Sequence, residues 1–335
     1  MSIKFYFPYQ KGELCFKWCD LGNEKYGITI FSKDISPDVQ GLYLEKNKEK
    51  DVLKLAWCHY PHIKPGEKWV SPEFIIYPHS GNWMEGAKIY KKFITSHFKT
   101  SSSTRYLKDT FGFRTLFFST YLHSYRKPNF YYRDLPEIAK DCLKYGVKEI
   151  VMWFWSNSFF PPNKKSNLIN KKLGTEQELK KAISICRKIG VNVVAFISAR
   201  AVWGESIKKI TDEWLEMDFQ GHKKAQFYTY DLDFVPPFNP PHYSSGVSYF
   251  VCPCSKNWQK SFVNYCKDIY KLGFSSVCFD QMFAYNLCYN KEHKHKPQQT
   301  GYDFYRVLKQ IINEGKKIDS DATFSGEYFT EITQT

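Results

Sequence analysis

The 335-residue sequence lacks any uninterrupted apolar run approaching the eighteen or so residues that a membrane-spanning helix needs. Its first residues, MSIKFYFPYQ, show neither a basic start and apolar middle nor the small-residue cleavage site of a secretory leader. The expectation is a soluble chain with no membrane partner, in a compartment that stays unknown. A glycine-rich phosphate loop is also missing after the first strand-like segment of the C-terminal region, which weighs against a nucleotide-binding open sheet. Among the ten cysteines, Cys252-Pro253-Cys254 and the Cys15/Cys19 pair have neither the two-residue gap nor the second pair of a zinc motif, so no metal and no other cofactor is expected. Cys142, Cys186, Cys266 and Cys278 fall on apolar positions of predicted helices or strands and read as buried free thiols.

What the chain does have is hydrophobic residues at 43% and aromatic residues at 18%, a packed globular composition rather than a disordered one. Its 48 Lys+Arg exceed its 34 Asp+Glu, giving a net charge of +14. That excess would suit an anionic polymer if it were focused. Instead the lysines are scattered through EKNKEKDVLK, NKKSNLINKK and KEHKHK, and they read as solvated faces, with no nucleic-acid partner expected. Nucleic-acid binding would show itself as an affinity falling steeply with salt.

The chain changes texture near residue 100. Residues 1–80 carry short aromatic β-rich pieces broken by turns, among them IKFYFPY, YGITIFSKD and WVSPEFIIYP, with a hairpin turn at Pro65-Gly66; this predicts an all-β, sandwich-like domain. Residues 81–104 read as a connecting helix, with Trp83, Ala87, Tyr90 and Ile94 on one face, followed by a Ser-rich linker. Residues 105–335 alternate strand and helix, with strands starting near 111, 148, 191, 275 and 322. The first helix should bury Leu135, Ile138, Cys142 and Tyr145 and stop at Gly146; the second opens on a Thr175 to Glu178 capping box and stops at Gly190. Intervals of roughly forty residues are those of parallel βα units. The predicted class is α/β, of (β/α)8 TIM-barrel type, but incomplete: a barrel needs eight strands, about five are present, and truncation at the C-terminus is the expectation.

In a parallel barrel the chemistry sits where strands run out into loops. LGFSSVCFDQMFAY places Asp280 after Val277, Cys278 and Phe279, at the tip of the fourth strand, with Gln281 beside it to hydrogen-bond a hydroxyl. ATFSGE places Glu327 at the tip of the fifth, with Glu331 as its rival for proton donor. Two such carboxylates are what cleavage of a glycosidic bond requires: one protonates the leaving oxygen, the other attacks the anomeric carbon or activates water. Each has a plainer reading, as a helix cap or a polar loop. Aromatic rings crowd the same ends, with Trp153, Trp155, Phe159 and Phe160 after the second strand and Trp203 after the third. Trp153, Trp155 and Trp203 are candidates to stack on sugar rings, with Asn157, Arg200 and Glu205 to bind hydroxyls, although rings at strand ends also plug barrels. The long interval from Ile207 to Lys256 reads as a lid or binding loop and contains Asp231, Asp233, His242 and Tyr243. His293 and His295, in KEHKHKPQQTG, read as part of a solvated loop rather than a metal centre.

Several of these pieces together resemble one family: glycoside-hydrolase-like proteins of unknown function in which a β-sandwich precedes a TIM barrel, distantly similar to endo-α-N-acetylgalactosaminidase and α-galactosidase barrels. The segments carrying the resemblance are IKPGEKWVSPEFIIYPHSGNWMEGAKIYKKF, VCPCSKNWQ, GFSSVCFDQM and GEYFTE. It spans the whole chain loosely. The resemblance implies a retaining α-glycosidase-like site with Asp280 as nucleophile and Glu327 as acid/base, acting on a carbohydrate substrate without a cofactor. The later strands of the family's barrel have no counterpart in the sequence, so the alternative is a catalytically inactive carbohydrate-binding protein or fragment.

Overall fold

The computed structural model describes residues 2–8, 14–47, 49–99, 111–118, 128–157, 168–203, 210–227, 247–281 and 286–327. The N-terminal strands form two antiparallel three-stranded sheets. One has the order β1 (Ser2–Pro8), β4 (Gln40–Asn47), β5 (Val52–His59); the other has the order β2 (Trp18–Gly22), β3 (Tyr26–Ser32), β6 (Phe74–Ser80). Leu42, Leu55 and Trp57 from the first meet Leu14 and Cys19 in a small apolar cluster. Beside it the buried Lys17 ammonium donates to the Asp34 and Ser36 carbonyls and pairs with the Asp34 carboxylate at 3.3 Å. Gln40 links that carboxylate to the Trp57 indole, so the buried charge is paired and its neighbours hydrogen-bonded.

Helix α1 (Trp83–His97) starts where the Asn82 side chain accepts from the Met84 N–H. It packs on β2 and β3 through Gly86 and Tyr90; of the expected stripe Tyr90 is buried and Ala87 and Ile94 are half-buried, but Trp83 is 59% exposed. Gly86 sets this face: a Cβ there would fall 2.1 Å from Asp20 Oδ2. The helix can approach the sheet closely only on its side-chain-free spot, and the neighbouring Tyr90 ring then packs against Trp18 and Phe31.

The C-terminal region is a five-stranded, wholly parallel sheet ordered β14 (Thr323–Gly326), β13 (Ser276–Asp280), β9 (Asn192–Ser198), β8 (Glu149–Trp153), β7 (Phe113–Phe117). The connections carry α2 (Leu135–Lys144), α3 (Glu176–Lys188), α4 (Lys256–Lys271) and α5 (Thr300–Lys316). These five strands stand in chain order with no reversal, and all four helices pack into one core with one face of the sheet. That is the winding of a barrel wall; a doubly wound sheet reverses strand order and carries helices on both faces. Among the described residues β7 and β14 are the two edges of this sheet, and these residues form five strands of a wall rather than a closed eight-stranded barrel.

Helix boundaries follow local chemistry. At the start of α3 the Thr175 hydroxyl accepts from the Glu178 N–H, while Glu178 reaches back to the Thr175 N–H at 2.7 Å. Gly146 and Gly190 take left-handed φ angles of 73° and 88° after α2 and α3, turning the chain into the next strand. Leu135 and Cys142 are buried as expected, with Ala139 beside them, but Tyr145 is 75% exposed because α2 ends one residue earlier. The long interval after β9 contains a small antiparallel sheet ordered β10 (Ala201–Trp203), β12 (Val247–Phe250), β11 (Ala225–Phe227). Among the described residues no helix is long and apolar enough to cross a membrane.

Candidate active site

Alternation along the parallel strands sorts their side chains between two faces. Leu116, Ile150, Met152, Val193, Ala195, Ile197, Val277 and Phe279 face the helices and are almost wholly buried. The opposite face carries Val151, Trp153, Val194, Phe196 and Cys278 as a separate small cluster. At the β7 edge of that face Phe113 and Phe117 are 64% and 45% exposed.

The strand register then locates the acids. Phe117 pairs with Trp153, Phe196 with Cys278, and Cys278 with Ser325, which makes one row across the open face. Trp153 stacks on Phe196 with centroids 3.5 Å apart and planes 14° apart, and Phe117 lies 5.2 Å from Trp153. Two residues further along β13 comes Asp280, opposite Ser198. One residue beyond β14 comes Glu327, whose N–H reaches the Phe279 carbonyl at 3.3 Å. Thus Asp280 and Glu327 sit side by side at adjacent strand ends, one layer above the aromatic row.

Their carboxyls are close enough to act on each other. Burial, followed by the Glu327 carboxylate, raises the Asp280 carboxyl far above the ordinary carboxylate range, and the backbone N–H of Gln281 only partly offsets this. The same N–H lies 3.5 Å from Glu327 Oε2. A second carboxylate so near makes the charged form of Asp280 unfavourable, so Asp280 keeps its proton well above the pH at which an ordinary carboxyl loses it. Below them burial holds Cys278 as a neutral thiol, its pKa pushed up to about 11, and raises Glu149 as well. Gln281 and Phe154, each the first residue after its strand, have left-handed φ angles of 54° and 53°. Each such non-glycine residue costs about 1–2 kcal/mol, and strain of this kind collects at functional sites.

Other candidates fall elsewhere. Trp155 is fully buried on the helix side with its ring 4.7 Å from Phe274, and the Tyr132 hydroxyl donates to its carbonyl. It is a core residue rather than a stacking platform. Arg200 is also fully buried, pairing with the equally buried Glu216 at 2.5 Å and lying over the Phe250 ring, so its guanidinium braces the loops rather than facing a ligand. Glu216 accepts in addition from Asn286 at 3.0 Å. Asn157 is exposed and donates to the Ile169 carbonyl in the loop after β8. Trp203 lies on β10 opposite Ser248. Glu331, Phe159, Phe160, Glu205, Asp231, Asp233, His242 and Tyr243 lie outside the described residues. A cavity of about 140 Å³ lined by Asp34, Asp38, His59, Trp69 and Gln298 lies among the N-terminal strands, away from the carboxyl pair.

Two features escaped the reading of the sequence. Phe117 and Phe196 share a row with Trp153; alternation along the strands would have shown it once the register was known. In the segment holding His293 and His295 the lysines are solvated as expected, but Cys288 and His293 are 2% and 9% exposed, and both histidines converge with Cys252 and Cys288.

Comparisons with known proteins agree with this architecture. The chain resembles the α-N-acetylgalactosaminidase NagBb of Bifidobacterium bifidum in its GalNAc complex, with a TM-score of 0.70 at 9% identity over 96% of this chain and 52% of that one. It resembles the α-galactosidase TtGalA of Thermus thermophilus in complex with stachyose, with a TM-score of 0.57 at 10% identity over 95% of this chain and 56% of that one. A third likeness is to a GH36 α-galactosidase, AgaA of Geobacillus stearothermophilus, with a TM-score of 0.56 at 10% identity over 96% and 44%. At such identities the likeness is one of fold, which is glycoside-hydrolase-like, and the chain spans about half the length of these structures. No curated protein matches. Residues 70–333 match one family along most of the chain, and the protein belongs to it: the family described as Domain of unknown function (DUF6259).

Proposed function

We propose that this chain carries the active-site wall of an α-glycoside hydrolase, with Asp280 as nucleophile and Glu327 as acid/base. The observation that carries the reading is the carboxyl pair at adjacent strand ends, directly above the Phe117–Trp153–Phe196 row. A sugar ring lying on Trp153 would present its anomeric carbon to the layer in which both acids stand. Retaining hydrolysis needs one proton on such a pair: Glu327 gives a proton to the leaving oxygen while ionised Asp280 bonds the anomeric carbon, and Glu327 then takes a proton from the water that releases the sugar. At rest Asp280 holds the proton, which passes to the neighbouring Glu327 before attack. Glu327 is largely exposed, so a rotamer change can open the gap to the roughly 5 Å of a retaining pair. Fold likeness to proteins titled α-galactosidase and α-N-acetylgalactosaminidase points to α-galactosides or their N-acetylamino counterparts as substrates to try first.

The closeness of the two carboxyls favours a second reading, a carbohydrate-binding protein without turnover, because a pair that stays together leaves little room for a glycosidic oxygen. Release of p-nitrophenol from p-nitrophenyl α-galactoside and α-N-acetylgalactosaminide decides between them. Turnover that falls at least about 1,000-fold in Asp280→Asn supports the hydrolase. Unchanged turnover in that variant removes it, and calorimetric sugar binding without turnover in the wild type selects the binding protein.

A further inference from the structure

The loop between β13 and α5 has no regular structure from Asn286 to Gln298, yet Cys288, Asn290, His293 and Gln298 within it are buried while its lysines face outward. Cys288, His293 and His295 come from this loop, and Cys252 comes from the turn between β12 and α4. One ligand atom from each of the four lies within 4.8 Å of every other. The individual distances are 3.5 Å from Cys252 Sγ to His295 Nε2 and 3.4 Å from Cys288 Sγ to His293 Nδ1.

Each imidazole is oriented by its other nitrogen. His293 Nε2 lies 2.6 Å from the Glu213 carbonyl, and His295 Nδ1 lies 2.8 Å from the Lys296 carbonyl. A carbonyl only accepts, so each of these nitrogens carries the hydrogen. The lone pairs are thereby left on His293 Nδ1 and His295 Nε2, the two atoms that face the sulfurs. A histidine ligand whose second nitrogen donates to a backbone carbonyl is the usual outer support of a metal site.

We propose that Cys252, Cys288, His293 and His295 form a tetrahedral site for one zinc ion. With Zn–S near 2.3 Å and Zn–N near 2.0–2.1 Å, a tetrahedron has S···N edges of about 3.5 Å, the length found on both measured edges. Two thiols and two neutral imidazoles bind Zn2+ with release of two protons to solvent and no redox step. The product, two thiolates around a dication, carries no net charge, and so it tolerates burial. A disulfide between Cys252 and Cys288 would serve the cluster less well, since its sulfurs have no hydrogen to offer the two imidazole lone pairs. All four positions come from protein, which marks a structural rather than a catalytic ion.

What the ion would hold is the support around β13. Besides its ligands, the loop sends Asn290 to the Asp212 and Leu215 carbonyls at 3.1 and 2.9 Å and the Tyr289 N–H to the Met217 carbonyl at 2.9 Å. The Gln298 carbonyl takes the Val39 N–H at 2.9 Å, tying the same loop to the N-terminal strands. The site thus staples the turn before α4 to the loop before α5, on either side of the strand that ends in Asp280.

The test is metal content of the full chain, purified under reducing conditions from zinc-supplemented medium and freed of loose metal by gel filtration. The expected result is about one zinc per chain. Replacement by Co2+ should give a thiolate-to-cobalt charge-transfer band and the intense visible bands of tetrahedral cobalt, which needs no variant. Cys288→Ser and His293→Ala should each lower zinc content at least about 10-fold, whereas Cys266→Ala, a buried thiol outside the cluster, should keep it. Folded, reduced wild type holding less than about 0.1 zinc per chain when zinc is offered in slight excess, a cobalt form without the charge-transfer band, or a Cys252–Cys288 disulfide in the unreduced peptide map would each overturn the proposal.

Discussion

The two faces of the parallel sheet are built from the same strands and differ in nearly everything else. On the helix side the strand positions are apolar apart from Arg114, which pairs with Asp141 of α2, and four amphipathic helices seal it. On the other side the alternate positions include Glu149, Trp153, Cys278 and Asp280, with Phe117 left half-open. Strand backbone does not distinguish the faces; what covers them does. The helix-side face buries the larger core; the other face buries a smaller cluster of Val151, Val194 and Phe196 and holds carboxyls, rings and strained strand ends beside it.

The sharpest way to break this comparison is to truncate one ring on each face. Phe279→Ala, on the sealed face, should cost about 3–5 kcal/mol in denaturant unfolding, because its neighbours Phe262 and Phe324 cannot fill the space. Trp153→Ala should cost less than half of that and instead weaken sugar affinity. Equal losses of stability would mean that the open face is also core. Arg200→Met, which leaves the Glu216 carboxylate buried without its partner, should cost about 3–5 kcal/mol by the same measurement. A loss under about 1 kcal/mol would show that the pair is solvated and Arg200 free to serve a ligand.

A smaller effect tests the carboxyl pair through stability. A carboxyl whose pKa is raised by folding binds a proton that the unfolded chain has already lost, so stability falls as pH rises above about 4, by at most about 1.4 kcal/mol per pH unit, until the folded pair ionises. Asp280→Asn removes that slope, and its melting temperature should therefore exceed the wild-type value at pH 8 and approach it near pH 4. Parallel pH profiles would mean that Asp280 is ionised in the fold. The smallest effect lies far from the site: Thr175→Ala should cost about 1 kcal/mol by loss of the capping box, and no measurable cost would place the stability of α3 in its packing alone.

Much of this was legible in the sequence because it is local. Caps, glycine stops and buried runs are written within a few residues, so all five parallel strands fall within two residues or so of where their runs begin. Asp280 and Glu327 could be singled out because each ends a strand that should otherwise be apolar. The misreadings have one cause, neighbours that local pattern does not encode. Trp153 and Trp155 have the spacing of one face, but the left-handed turn at Phe154 breaks alternation and sends Trp155 to the helix side. Trp83 lost its place to Gly86 because Asp20 and Thr29 lie too near for any larger residue. Cys252 and the Cys288–His295 group lie far apart in the chain and match no motif spacing; only the fold of the loop before α5 brings them together.

The central claim is that Asp280 attacks a sugar from the open face. Incubating the protein with an activated 2-deoxy-2-fluoro α-glycoside, then locating the mass increase by peptide mapping, tests it most directly, since the fluorine slows release of the covalent intermediate. The account predicts one adduct per chain, on Asp280, absent from Asp280→Asn. An adduct on another residue, or continued turnover of p-nitrophenyl glycosides with Asp280 unlabelled, would contradict it.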